Sequence, residues 1–510
     1  MELMAVADQM RTGPVNLTRL LPPFAAMHHD QHGTTMVADS MGFRQLFHTA
    51  PGAGGNAALS SSALAAGRAR GTGLDKVAVG NQSLLGWQLG RRTLFEDVEK
   101  LVPGAVARLD SGPVAVEDGA RHSHDPLGVE HAVAEAATLL RTSLAALLDD
   151  HPDAVLQLTG GLDSRLLLSA IPPSRRRGLR AMTLGVPGSG DVSIAAKISA
   201  RYGLEHDVRD LASVDGVSPA DAWRLCVEAS IRLDAMSDPV ALAALGIGER
   251  SFAQGVRISG LGGEVARGFY YVGRVVDRSY TRKDASRLAS WRMFVNESVE
   301  PGLLTDEFSA WARDAAEGEV FEALQAGGDE WFRATDELYL RHRMQRWAGA
   351  TDTAVSAQRI VINPMLDRGF LEIAARLSPQ DKAGSRFLAS LQMALDPELG
   401  AMPLDGRPAP AAYADPSPWQ PVAQTLSTGK RFVRKSLQRV RRGNRPPAGG
   451  DILAAKVVTH WRANPDLLST LASLDFIERE WMGAMLAGDV EPRPSSVAFL
   501  TNLAVATSDM

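Results

Sequence analysis

"AVLQLTGGLDSRLLLSAI", residues 154–171, decides how this chain is read. An apolar run of strand length enters a turn of two glycines, an aspartate and two hydroxyls, and a second apolar run follows. "AVLQL" is predicted as a buried strand, "TGGLDS" as a turn, and "RLLLSAI" as the start of a helix. Such a turn lies at the carboxyl end of a parallel strand, where open α/β sheets take ligands. Gly160 and Gly161 let the backbone approach a ligand closely. Free N–H groups at the helix start and the hydroxyls of Thr159 and Ser164 suit an anion, phosphate above all. Asp163 beside phosphates implies a bridging hard cation such as Mg²⁺. A capped glycine turn is the plainer alternative. No G-K-[ST] follows, so this is not a Walker A loop.

Around the turn, "PLGVEHAVAEAATLLRTSLAALLDD" (126–150) has apolar residues at helical spacing, "LRAMTLGV" (179–186) reads as a strand, and "DVSIAAKISARYG" (191–203) reads as a helix ending near Gly203. Strand and helix in alternation imply a parallel sheet with right-handed crossovers. Residues 217–250 and 303–400 read as mainly helical, and residues 1–122 as short strand-like pieces broken by glycine and polar turns.

The 510 residues exceed one ordinary core, and a prior of about 100–200 residues per domain suggests about two to four units. With 45% hydrophobic and 22% charged residues and a formal charge of −5, the chain has ordinary globular composition and no polyanion-binding character overall. Its one cysteine, Cys226, excludes an intramolecular disulfide and a cysteine-based zinc cluster, and points to a reducing cytoplasm. There is no signal-peptide pattern at the start and no apolar run of membrane-spanning length.

"LTGGLDSR" resembles the S-G-G-x-D-S pyrophosphate loop of the ATP-pyrophosphatase enzymes, specifically the asparagine synthetase family, with Thr159 for the usual serine. "RISGLGGEVARGFYY" (257–271) resembles that family's S-G-E-G-x-D-E-x-x-x-G-Y signature through Ser259, Gly260, Gly262, Gly263, Glu264 and Tyr270. The two stretches stand about 95 residues apart, in the family's order. "NPMLDRGFLEIAARLSP" (363–379) resembles its P-F-L-D segment. The resemblance implies an α/β fold: a parallel-sheet, adenine nucleotide alpha hydrolase-like synthetase domain over 126–510. Thr159, Gly160, Gly161, Asp163, Ser164, Gly185, Ser259, Gly260, Gly262 and Gly263 would then bind ATP and its pyrophosphate, and Asp163 and Glu264 would hold Mg²⁺.

Residues 1–122 resemble the family's class II glutamine amidotransferase domain in "VADSMGFRQLFH" (37–48) and "RTLFEDVEKLVPGAVARLDSG" (92–112). That domain's nucleophile is a cysteine at the mature N-terminus, whereas Met1 is followed here by Glu2. The resemblance therefore implies a degenerate domain without glutaminase activity, as in β-lactam synthetases and lasso peptide cyclases. It implies an AMP-forming carbon–nitrogen ligase that adenylates a carboxylate and joins it to a substrate amine. Macrolactam closure in a peptide, served by its leader-processing proteins, is the preferred form. Amidation of a small metabolite or sugar acid, and a nucleotide-binding scaffold without turnover, are the alternatives.

Three departures bear on catalysis. The family's acidic residue before P-F-L-D is Ile360, and its arginine there is Ile362; the lysine of its late R-P-K element maps to Ala409 in "GRPAPAAYA"; Leu261 and Val265 replace signature glutamates. Lys382 and Lys430 are candidate replacement cations, and Tyr339, Asp336 and Glu337 are candidates to orient or deprotonate an amine. A solvated helix face is the plainer expectation for each, as it is for Arg341, Arg343 and Arg346. The segment 426–450 contains "KRFVRKSLQRVRRGNR" (430–445), with eight positive charges and no negative one. It reads as a solvated linker, a docking helix, or a patch for an acidic peptide, phosphorylated carrier or membrane surface, with no nucleic acid expected. His28, His29, Asp30 and His32 cluster in sequence, where a surface loop is a plainer reading than a metal site.

Overall fold

The helical spacing after residue 126 is realised as the helix Val129–Asp150, with Ala132, Ala136, Leu140, Leu144 and Leu148 along one buried stripe. It is seen in a computed structural model that describes residues 3–49, 57–110, 112–117, 119, 125–185, 188–210, 214, 216–250, 255–415 and 449–508. The basic run 430–445, with Lys430, lies outside the described residues.

Among the described residues, seven strands occupy the N-terminal part: β1 (Ala25–Asp30), β2 (Gly33–Ala38), β3 (Phe47–Thr49), β4 (Leu59–Ser60), β5 (Val98–Lys100), β6 (Val106–Leu109) and β7 (Ala115–Glu117). They form two antiparallel sheets, ordered β1-β2-β6-β7 and β4-β3-β5. Helices Ala63–Arg70 and Lys76–Leu85 lie between β4 and β5, so this part is less purely β than its sequence texture implies. The Asp39 carboxylate accepts from the backbone N–H groups of Phe24, Met41 and Phe43 at 2.9–3.0 Å, which fixes the turn in "VADSMGF". His28 and Asp30 lie on β1 with Nε2 and Oδ2 3.4 Å apart. Among the described residues, no three His, Cys, Asp or Glu side chains group as metal ligands.

Beyond residue 150 come β8 (Val155–Gln157), β9 (Arg180–Gly185), β10 (Glu205–Asp210), β11 (Arg257–Ile258) and β12 (Val361–Ile362). All pair in parallel, in the order β10-β9-β8-β11-β12. The chain steps outward through β8, β9 and β10, then returns to the other side of β8 for β11 and β12. The helix after β9, Gly190–Tyr202, ends on Gly203 at φ +66°, a left-handed position that glycine adopts without steric cost. Among the described residues, no helix is long and apolar enough to cross a membrane.

The N-terminal sheets share cores with the rest of the chain: Phe43 and Trp87 pack with Leu156 and Met344, and Phe47 and Leu64 with Cys226 and Trp461. The main polar joint is the π-helix Tyr339–Ala348. Arg346, buried, donates to the carbonyls of Gly90 and Arg92 at 2.7 Å each, and His342 Nδ1 accepts from Gly90 N–H at 3.1 Å. Arg343 pairs with Glu297 at 3.7 Å and lies over Trp347 and Phe269, while Arg341 pairs with Glu337 at 2.6 Å. Arg346 is buried and Arg343 largely so, while Arg341 keeps 31% of its side chain exposed, so a solvated face does not describe this stretch as a whole. Arg346→Met leaves two carbonyls unpaired, so it is expected to destabilise the protein by about 2–4 kcal/mol. Urea unfolding reads this, and an unchanged midpoint would show that the joint contributes nothing.

Candidate functional site

Strands β8 and β11 are hydrogen-bonded neighbours whose onward connections diverge. Their carboxyl ends release the loops after Gln157 and Ile258 side by side at the switch point of the sheet, the position at which such folds bind ligands. Glycine permits the contact. A Cβ on Gly260 would lie 2.7 Å from the backbone N of Ser164, and one on Gly263 would lie 2.3 Å from Asp163 Oδ1. Gly262 turns at φ +105°. The Ser259 hydroxyl accepts from Leu261 N–H at 3.2 Å, and Gly185 closes β9 against Val192 and Ser189.

The first loop closes on itself. Ser164 Oγ accepts from Thr159 N–H at 3.1 Å, Thr159 Oγ1 accepts from Gly161 N–H at 3.1 Å, and Asp191 Oδ1 accepts from Gly160 N–H at 2.9 Å. The donors that the sequence offers to an anion are therefore held by hydroxyls and one carboxylate, in the positions that anion oxygens would take. The helix Asp163–Ala170 starts without a capping side chain, which leaves its positive end toward the loop.

Asp163 and Glu264 meet here, one from each loop, and Arg267 joins them. Its guanidinium is 3.3 Å from Asp163 Oδ2 and 2.9 Å from Glu264 Oε1. The other oxygen of each carboxylate, Asp163 Oδ1 and Glu264 Oε2, is buried with no hydrogen-bond partner. The three side chains are 17–21% exposed, so the cluster is reachable from solvent. Burial pushes the Asp163 carboxyl up to about 7, with Glu264 adding to the rise and Arg267 and Arg407 opposing it. Two part-buried carboxylates, each with one buried unpartnered oxygen, are the donor set Mg²⁺ takes when phosphates supply further ligands, so these residues fit that ion.

Arg407 is brought here by Arg165, the last residue of "LTGGLDSR". Arg165 is fully buried and donates to the carbonyls of Leu399, at 3.2 Å, and Pro403, at 2.9 Å. This clamp lays residues 403–408 over the glycine loop, where Asp405 N–H donates to Gly160 O at 3.2 Å. A Cβ on Gly190 would strike Asp405 Oδ1 at 1.9 Å, so that approach requires glycine.

Tyr339 joins the site: its ring stacks on Phe269 at 4.5 Å, and its hydroxyl is pushed above the usual phenol range by burial and then by the Glu264 carboxylate. Lys382 lies in a buried cluster with Asp336 and Tyr271, the residue after Tyr270: its Nζ is 2.7 Å from Asp336 Oδ2, and Tyr271 OH donates to the same oxygen at 2.9 Å. Glu337 is held by Arg341. Ile360 is exposed, and Ile362 sits in β12 accepting from Ser259 N–H at 2.9 Å. Sequence reasoning gave no role to Asp191, Arg267, Asp405 or Arg407. Local signals existed for Arg267, three positions after Glu264 on the same turn, for Arg407, the arginine of the R-P element in "GRPAPAAYA", and for Asp191, the acidic residue after β9 in the first turn of the next helix.

Two comparisons with known proteins bear on this arrangement. Residues 135–387 match the family model described as asparagine synthase, a span that holds the sheet, both glycine loops, Tyr339 and Lys382. No curated protein matches the chain.

Proposed function

We propose, from the match of residues 135–387 to the asparagine synthase family model, that this chain is an ATP-dependent amide-forming ligase that adenylates a substrate carboxylate and joins it to a substrate amine. The observation that carries the reading is the meeting of Asp163 and Glu264 at the switch point, beside a loop whose N–H groups already hold a carboxylate and hydroxyl oxygens.

In the first step a carboxylate oxygen attacks the α-phosphorus of ATP and the bond to pyrophosphate breaks. Thr159, Gly160, Gly161 and Ser164 exchange their internal partners for pyrophosphate oxygens, and Arg407 adds positive charge next to Asp163. Asp163 and Glu264 would hold Mg²⁺, which supplies charge neutralisation on the phosphates. In the second step the amine attacks the acyl carbon, AMP leaves, and the amine proton passes to a base. Tyr339, beside Glu264, orients that amine.

Glutamine is not the nitrogen source in this reading. The chain's one cysteine, Cys226, is buried in a helix with its thiol pushed far above the ordinary range, so it is no thiolate nucleophile. Macrolactam closure in a peptide is the specific form proposed, with small-molecule amidation as the alternative. Product analysis distinguishes them from other ATP chemistry. AMP and pyrophosphate are expected in equal amounts with the amide, dependent on an amine and indifferent to glutamine. Formation of ADP and phosphate, or dependence on glutamine, would refute the proposal. ATP binding with neither product would favour a scaffold, a reading that the absent lysine at Ala409 supports.

A further inference from the structure

We infer that Arg267 is an internal counter-ion that keeps the cation position closed in the ligand-free protein, so that a divalent ion is held tightly only when nucleotide is present. The position is defined by the two carboxylates already described. Arg267 takes one oxygen of each, Asp163 Oδ2 at 3.3 Å and Glu264 Oε1 at 2.9 Å, and leaves Asp163 Oδ1 and Glu264 Oε2 buried without partners. Each such oxygen costs free energy, and one cation between the two carboxylates would satisfy both. Here the guanidinium lowers the charge of the pair from −2 to −1, and a hard divalent ion binds by carboxylate charge and oxygen count.

The guanidinium also has a second destination. Its fork matches phosphate oxygens as well as carboxylates, and bidentate phosphate contacts are among the strongest it makes. A triphosphate on the adjacent glycine loop would draw Arg267 away from Asp163 and Glu264, restoring their full charge as the phosphates supply the remaining oxygens. Arg267 would thus serve as a positioning residue that orders binding, in a stretch where Leu261 and Val265 take the places of two carboxylates of the family signature. The nucleotide half of this inference rests on the proposed function; the cation half rests on the three side chains alone.

Free Mn²⁺ is the probe, titrated into the full-length protein without nucleotide and followed by electron paramagnetic resonance. Arg267→Gln is expected to bind Mn²⁺ roughly tenfold or more tightly than wild type, because one positive charge is removed within contact distance. Arg267→Lys, which keeps the charge, should stay near wild type, and Asp163→Asn placed in the Arg267→Gln protein should abolish the gain. Equal Mn²⁺ affinity in wild type and Arg267→Gln overturns the inference. Should Arg267→Gln fail to fold by circular dichroism, wild type alone decides: a nonhydrolysable ATP analogue must raise Mn²⁺ retention beyond that of the analogue in solution, and no rise overturns it. An analogue that binds nowhere on the protein counts against the ligase reading, while the Mn²⁺ comparison still judges Arg267.

Discussion

Asp163→Asn is expected to reduce pyrophosphate release by about a thousandfold while leaving the melting temperature within about 3 °C of wild type. The substitution preserves shape and removes one charge. Gly260 still packs against the Ser164 backbone, so the two loops keep a contact across the switch point. What is lost is the carboxylate on the first loop that, with Glu264, carries buried unpaired oxygens. A variant that keeps wild-type release would reduce Asp163 to the first residue of a helix. A variant that melts far below wild type would make it a structural residue.

The second large effect separates two glycines of one loop. A Cβ on Gly260 meets backbone: Ser164 N at 2.7 Å and Asp163 C at 3.0 Å. Neither can move without separating β8 from β11, so Gly260→Ala is expected to cost about 2–4 kcal/mol in stability. A Cβ on Gly263 meets the Asp163 carboxylate at 2.3 Å, a short side chain that can rotate away. Gly263→Ala should therefore destabilise by less than about 1 kcal/mol yet lose most pyrophosphate release, because the displaced group is the functional one. Urea unfolding and pyrophosphate release on both proteins test this contrast. Equal effects of the two on stability would contradict the loop-on-loop geometry.

Much of this geometry was legible in the sequence, because it is carried by local patterns. The apolar run of Val155 and Leu156, the glycine pair and the leucines after Asp163 specify strand, turn and helix with no information from elsewhere. The Ser259–Glu264 stretch was legible only through its resemblance to the family signature. The roles of Asp191, Asp405 and Arg407 were not legible, because they reach the site from two other segments, and their positions follow from the crossover after β9 and the Arg165 clamp. Lys382 and Asp336 were misjudged in environment: charged residues at helical spacing suggest solvent, but here they neutralise each other in the interior. Arg346 was misjudged in the same way, as its partners are carbonyls of a segment about 250 residues earlier. Charge on a helix shows its face only when the partner across it is known.

The most direct test of the central claim is exchange of labelled pyrophosphate into ATP, catalysed by the full-length protein with Mg²⁺ and a panel of carboxylates, peptide acids included, with no amine present. Reversible adenylation predicts exchange with at least one carboxylate and none without, abolished in Asp163→Asn. ATP that binds and stays unexchanged with every carboxylate would contradict the account and leave a nucleotide-binding protein without ligase chemistry.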